Sequence, residues 1–318
     1  MTHKYILVSL VIFLACTFSH GQEEFNVQKL TPSALLPTGK WEIKSFNSNY
    51  TQTAYFNENG KRENNGGGLL YFDDGSIRTT ANQLRNTFFT STNQINYGLN
   101  SSVNIGLEFW VNSGALSSSE DSRFKAINFK QAAHTRTTLS YIGVKLKFIP
   151  IQSISNFSIQ SAFLIPVGED LESHQTTQPF VNWDNYTWMN QFFLDIPLAD
   201  KWLLFANIDV IWGISRNADL RALRGNRFTI PVKALLNYFA TPRLTLLMQT
   251  EYNRIWQAFG DEDTREVQGA YYFQLGPSVK YQLVPSKLEG ELSYGYFLAG
   301  NNGQGAGNSL SLGIRLLL

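Results

Sequence analysis

The most constraining feature of this chain is its period-two alternation of apolar and polar residues, carried by segments about 11 to 14 residues long and clearest from residue 84 onward. Soluble strands typically run about five or six residues, whereas tilted strands crossing a bilayer need about 9 to 11. The clearest segments are residues 201–213, 227–239, 243–256, 269–283, 287–298 and 308–318. In the last, Leu310, Leu312, Ile314, Leu316 and Leu318 share one face, and Ser309, Ser311, Gly313 and Arg315 the other. A helix would need apolar positions three and four apart, which these segments lack. Residues 100–111, 137–149, 154–165 and 187–198 follow the same rule. In 40–56 and 84–97, Asn, Ser and Thr blur it. Twelve strands are predicted.

The connections alternate too. Short turns fall at residues 98–99, 150–153, 199–200, 240–242 and 284–286, and long polar stretches at 57–83, 113–136, 166–186, 214–226, 257–268 and 299–307. Short and long interchange throughout, which puts all the short turns at one end of a single up-and-down sheet and all the long loops at the other. No domain boundary or further repeat is visible.

Three arguments turn this meander into a transmembrane barrel. Aromatic residues sit at both ends of the apolar face: Trp202 and Trp212 lie ten residues apart, as do Phe228 and Tyr238, with Trp256 completing the set of expected girdle residues. At a rise of about 3.3 Å and a tilt near 40°, ten residues span roughly 25 Å, the height of the apolar band between aromatic girdles. A twelve-stranded barrel is too wide for side chains to fill, so its interior is wet. The polar faces carry Glu108, Lys145, Lys147, Asp195, Asp209, Lys233, Glu251, Lys280, Glu289, Glu291 and Arg315, which a dry core would tolerate badly and a hydrated bore accepts. Lipid forbids open sheet edges, so the sheet must close. An even strand number puts both ends of the barrel on the short-turn side, which in bacterial outer-membrane barrels is the periplasm. A secreted sandwich of two six-stranded sheets would also alternate, but it explains neither the strand lengths nor the paired aromatic ends.

Residues 1–21 read as a secretory signal: Lys4 is the positive start, 5–15 the apolar core, and Ser19-His20-Gly21 the small-residue site before Gln22. Cys16, the one cysteine, offers lipoprotein processing as an alternative, with Phe13 and Leu14 fitting that motif poorly. Cleavage after Gly21 leaves no cysteine, and so neither a disulfide nor a thiolate metal site. Residues 22–39 are expected to be a periplasmic segment ahead of a barrel over 40–318.

The segment Leu36-Pro37-Thr38-Gly39-Lys40-Trp41-Glu42-Ile43-Lys44, with Tyr50-Thr51-Gln52-Thr53 and the Gly21-Gln22 site, resembles the outer-membrane β-barrel proteins of the Bacteroidota. In layout the chain is similar to transporter barrels of the phenol-degradation-operon type. Its last strand ends in Leu318 where many such barrels place Phe. The resemblance implies an outer-membrane location and passage of small solutes; it names no substrate.

Composition narrows the function. A formal net charge of +1 offers no concentrated basic surface for nucleic acid. On the phase above the bore holds seven acids (Glu42, Glu108, Asp195, Asp209, Glu251, Glu289, Glu291) and seven bases (Lys44, Lys145, Lys147, Arg227, Lys233, Lys280, Arg315), so strong ion selectivity is not expected. Trp110, Phe193 and Phe205 share that face and would narrow the bore or stack on an apolar or sugar-like solute. Catalysis is not expected. His134, near Thr137 and Ser140, and His174, in Glu169-Asp170-Leu171-Glu172-Ser173-His174, are the two mature histidines, and HExxH and GxSxG are absent. A rim hydrolase using either histidine is the weakest reading. Asp73-Asp74-Gly75 reads as a hairpin tip, Asp261-Glu262-Asp263 lacks the spaced ligands of a calcium loop, and Gly66-Gly67-Gly68 follows no strand-to-helix pattern. No cofactor or metal is expected. The partners are membrane lipid and a small-molecule solute. Two functions lead: a channel or facilitator with a mixed-charge lumen, and a structural or assembly component whose lumen is closed by ion pairs and whose long loops or segment 22–39 bind a partner.

Overall fold

The computed structural model describes residues 31–65, 68–71, 77–80, 84–118, 120–129, 134–172, 179–216, 224–259 and 266–318. The signal region, His174, Asp73-Asp74-Gly75, Gly66-Gly67 and Asp261-Glu262-Asp263 lie outside these residues. Twelve strands form the wall: β1 (Trp41–Phe56), β2 (Leu84–Asn100), β3 (Val103–Ser118), β4 (Thr135–Phe148), β5 (Phe157–Pro166), β6 (Asn185–Ala199), β7 (Trp202–Ser215), β8 (Arg224–Phe239), β9 (Leu244–Phe259), β10 (Glu266–Val284), β11 (Leu288–Gly300) and β12 (Gln304–Leu317). Each pairs antiparallel with its neighbours in sequence. β12 returns to β1 from Glu42↔Leu317 to Phe56↔Gln304, which closes the sheet. Outside the wall, Arg62–Asn64 adds a short strand to the end of β1, and Gly68–Tyr71 pairs with Ile77–Thr80. On that short strand Tyr55 Oη (2.8 Å) and Asn57 Nδ2 (2.7 Å) donate to Glu63, holding its carboxyl below the usual range.

The alternation works as expected: Leu107, Val144, Ile208, Leu246, Leu292 and Leu312 are exposed on the outer face, while their polar neighbours are sequestered inside. The girdle residues are register partners, Trp202 opposite Tyr238 and Trp212 opposite Phe228. Trp202 and Tyr238 have ring centroids 4.7 Å apart at the short-turn end, and Phe228 and Trp256 lie 5.7 Å apart nearer the long loops. The blurred alternation of β1 and β2 has a physical reason. Their outer face carries Ser45 and Asn47 opposite Asn93 and Ser91. These satisfy one another, Asn47 Nδ2 donating to Ser45 Oγ (3.2 Å) and Asn93 Nδ2 to Ser91 Oγ (3.0 Å). Nearer the long-loop end, the β3–β4 connection folds over this face, burying Ala126 against Phe89 and Ala115.

Two connections depart from the expected interchange. The β4–β5 turn, expected at 150–153, spans residues 149–156. The stretch 299–307, expected as a long polar connection, is a tight turn at residues 301–303, with β12 already begun at Gln304. Asn302 (φ 50°) and Gly303 (φ 76°) take left-handed conformations, and the amides of both reach back to β1, Asn302 N to Asn57 O (3.2 Å) and Gly303 N to Phe56 O (2.8 Å). The Asn-Gly pair is a hairpin signal in its own right. Several strands also outrun their apolar band toward the long loops, β3 reaching Ser118 where the sequence predicts an end near residue 111. Above the band both faces meet water or loops, so period two disappears although pairing continues.

Candidate functional site: the bore

The inward positions of neighbouring strands bring the charged residues together. Glu42 bridges Lys44 (3.0 Å) and, across the closing seam, Arg315 (2.7 Å), which also reaches Glu289 (3.9 Å). Lys280 meets Glu291 at 3.4 Å and Lys233 meets Glu251 at 3.6 Å. Glu108 pairs with Lys145 at 3.6 Å, both side chains almost fully sequestered (2% and 3% exposed). Gln94 Nε2 (3.1 Å) and Trp110 Nε1 (2.5 Å) donate to the same carboxylate. Gly106 makes room for the pair, since a β-carbon there would run into Lys145 Cε and the Asn96 side chain. Asp209 is held by amides, accepting from Asn207 Nδ2 (2.7 Å) and Gln191 Nε2 (3.1 Å). Phe193 and Phe205 stack inside with centroids 6.0 Å apart.

Among the described residues two segments enter the bore, and the sequence reading places neither there. At the short-turn end residues 31–36, set ahead of the barrel by that reading, lie within it. Lys147 Nζ donates to the carbonyls of Pro32 and of Ala34 (2.6 Å). The Thr31 and Ser33 hydroxyls donate to Asp195 Oδ2. Asn104, its amide oriented to suit, accepts from Leu36 N (2.8 Å), and Leu36 packs on Leu317. So Lys147 and Asp195, grouped with the cross-strand ion pairs by sequence, instead clamp a peptide. Between this segment and the wall lies a cavity of about 220 Å³, whose lining includes Lys44, Lys145, Gln160, Gln191 and Phe193.

At the long-loop end the connection after β5 turns inward. Tyr141 Oη donates to Trp183 O (2.5 Å) and meets Asn185 Oδ1 (2.7 Å), while the Arg227 guanidinium sits 4.5 Å from the Trp183 ring centroid. Phe180 lies edge-on to Phe88 (6.2 Å) and to Trp183 (5.1 Å). Phe88 in turn stacks on Tyr50 (6.0 Å), which clusters with Tyr272 and Phe297, and Tyr272 Oη donates to Glu251 (2.6 Å). The signal for this inward fold was the aromatic content of residues 180–186, Phe, Trp and Tyr in a stretch otherwise read as a solvated loop.

His134 lies at the start of β4, its carbonyl accepting from Leu116 N (2.9 Å). Among the described residues no group of three or more His, Cys, Asp and Glu is placed to hold a metal ion.

No family model matches this chain, and no curated protein matches it. Its fold is similar to that of an outer-membrane channel from Pseudomonas putida F1, at 14% identity over 90% of this chain and 98% of that one, with a TM-score of 0.60. The likeness is one of fold: the barrel matches bacterial outer-membrane proteins. More distant are the NanC porin (8% identity, 86% of this chain and 98% of that one, TM-score 0.44) and the translocator domain of the autotransporter NalP from Neisseria meningitidis (11%, 99% and 95%, TM-score 0.42).

Proposed function

We propose that this protein is a non-enzymatic outer-membrane channel or facilitator for small solutes, with the chain ends of the barrel and the short turns in the periplasm. It belongs, on this reading, with the Bacteroidota barrel proteins that its opening segment resembles. The supporting observation is the division of the wall: outside the Ser45, Asn47, Ser91 and Asn93 patch of β1 and β2, aliphatic and aromatic side chains face outward, and the charged side chains face a bore that keeps a chamber of about 220 Å³. A wet bore removes most of the cost of holding so many ionised groups. Small solutes fit the chamber, which is below the roughly 300–1,000 Å³ of sites for drug-sized molecules. Planar-bilayer recording and liposome swelling with the refolded protein test the proposal; silence in both, with every small solute tried, refutes it.

The second reading, a closed structural or assembly barrel, draws support from the two segments inside the bore. A stoichiometric partner recovered from native membranes, together with silence in bilayers, would favour it. The orientation is tested separately: a cysteine placed at Asn301 should react with an impermeant maleimide on whole cells, and one at Ser286 should not.

A further inference from the structure

The chamber beside residues 31–36 has a charge imbalance that the bore as a whole lacks. Among the described residues four cationic side chains line it, Lys44, Lys145, Lys147 and Arg315, against one carboxylate, Glu42. Lys44 and Arg315 share that carboxylate, and Lys145 has Glu108 behind it. Lys147 differs: among the described residues no carboxylate lies within ion-pairing distance, and its ammonium rests on the carbonyls of Pro32 and Ala34 and near the Phe193 ring (5.3 Å). A carbonyl offers this buried cation only a dipole, whereas a carboxylate brings a full opposite charge. The rest of the lining suits the remainder of an organic anion. Gln94, Gln160 and Gln191 already donate to Glu108, Gln191 Oε1 and Asp209, and each amide nitrogen carries a second hydrogen; Phe193 and Ile105 add an apolar wall.

We infer that this chamber binds small organic carboxylates, and that the carbonyls of Pro32 and Ala34 occupy the place on Lys147 that the ligand's carboxylate takes. The inference rests on the channel reading and gives it a substrate class. It also revises the expectation of an unselective bore, because the seven acids and seven bases balance only when summed over its full length. The segment 31–36 acts as a tethered competitor that the ligand displaces.

The test uses 4-fluorobenzoate as probe and the refolded full chain in detergent, with binding read by 19F NMR titration and barrel formation of each variant checked by heat-dependent gel mobility. Wild type should bind the probe, and 4-fluorobenzyl alcohol should not bind. Lys147→Gln should weaken binding about tenfold or more, the loss of one charge-assisted hydrogen bond. The Thr31→Ala/Ser33→Ala double variant, which loosens the segment without changing charge, should tighten it. Equal binding of the alcohol, equal affinity in all variants, or no binding in both wild type and the double variant would each overturn the inference. Competition by inorganic phosphate as strong as by benzoate would overturn its organic part. Binding without conductance would sink the channel reading and leave the site; conductance without binding would do the reverse.

Discussion

At the short-turn end the bore is occupied by a polar peptide tied down through a lysine and a carboxylate; at the long-loop end it is narrowed by Phe180 and Trp183, held by ring contacts and an arginine. The first arrangement is built from long-range electrostatics, and it depends on two wall residues that would otherwise lack counterions. The second is built from contact area. Ions and polar solutes compete directly with the first, because they can replace carbonyls on Lys147 and hydroxyls on Asp195. They offer nothing to the second, which yields only to a molecule that replaces aromatic surface. On the proposed channel reading, the two ends would sort solutes by different properties, charge at one and stacking at the other.

The comparison can be broken in order of effect. Deleting residues 31–36 should give the largest change, a several-fold rise in single-channel conductance; unchanged conductance would mean that the long-loop end limits flow. Next come two equivalent charge removals. Glu108→Gln strands a sequestered Lys145 and should cost about 3–5 kcal/mol of unfolding free energy in lipid vesicles. Asp184→Asn should cost less, about 1–3 kcal/mol, because Arg216 keeps the carbonyls of Pro166 (3.1 Å) and Gly168 (2.9 Å) as partners. Urea titrations that rank these two in the opposite order would refute the idea that the short-turn end is the more electrostatic. Trp183→Ala should raise conductance modestly and weaken block by aromatic solutes, and block unchanged in bilayers would remove the stacking role. The smallest effect is expected at the girdle, where Tyr238→Ala loses its ring partner Trp202 and about 0.5–1.5 kcal/mol, again read by urea titration.

Much of this was legible in the sequence. Strands facing lipid on one side and water on the other must alternate, so the wall and its strand number follow from period two. The hidden parts are those where a residue's role depends on something other than its own strand. Thr31-Pro32-Ser33-Ala34 has no periodicity, and nothing local separates a peptide that enters a bore from one that trails outside it. The unmatched Lys147 and Asp195 are recognisable only once their neighbours are known. Phe180 and Trp183 sit in a polar connection, where composition argued for solvent. At residues 301–303 the sequence did contain the answer, since Asn-Gly favours the left-handed turn that forms there, but the surrounding glycines disguised strand as loop.

The seam between β12 and β1 carries a further consequence. Trp41 and Leu318 exchange backbone hydrogen bonds (3.1 and 2.9 Å), and the Glu42–Arg315 pair locks the same place. These contacts join the two ends of the barrel sequence, so adding hairpins one after another does not close the cylinder until β12 meets β1. Every partial meander exposes two raw edges that the bilayer interior will not accept, and the loop to be closed is as long as the barrel sequence itself. Closure of the sheet therefore waits until both β1 and β12 are present to pair.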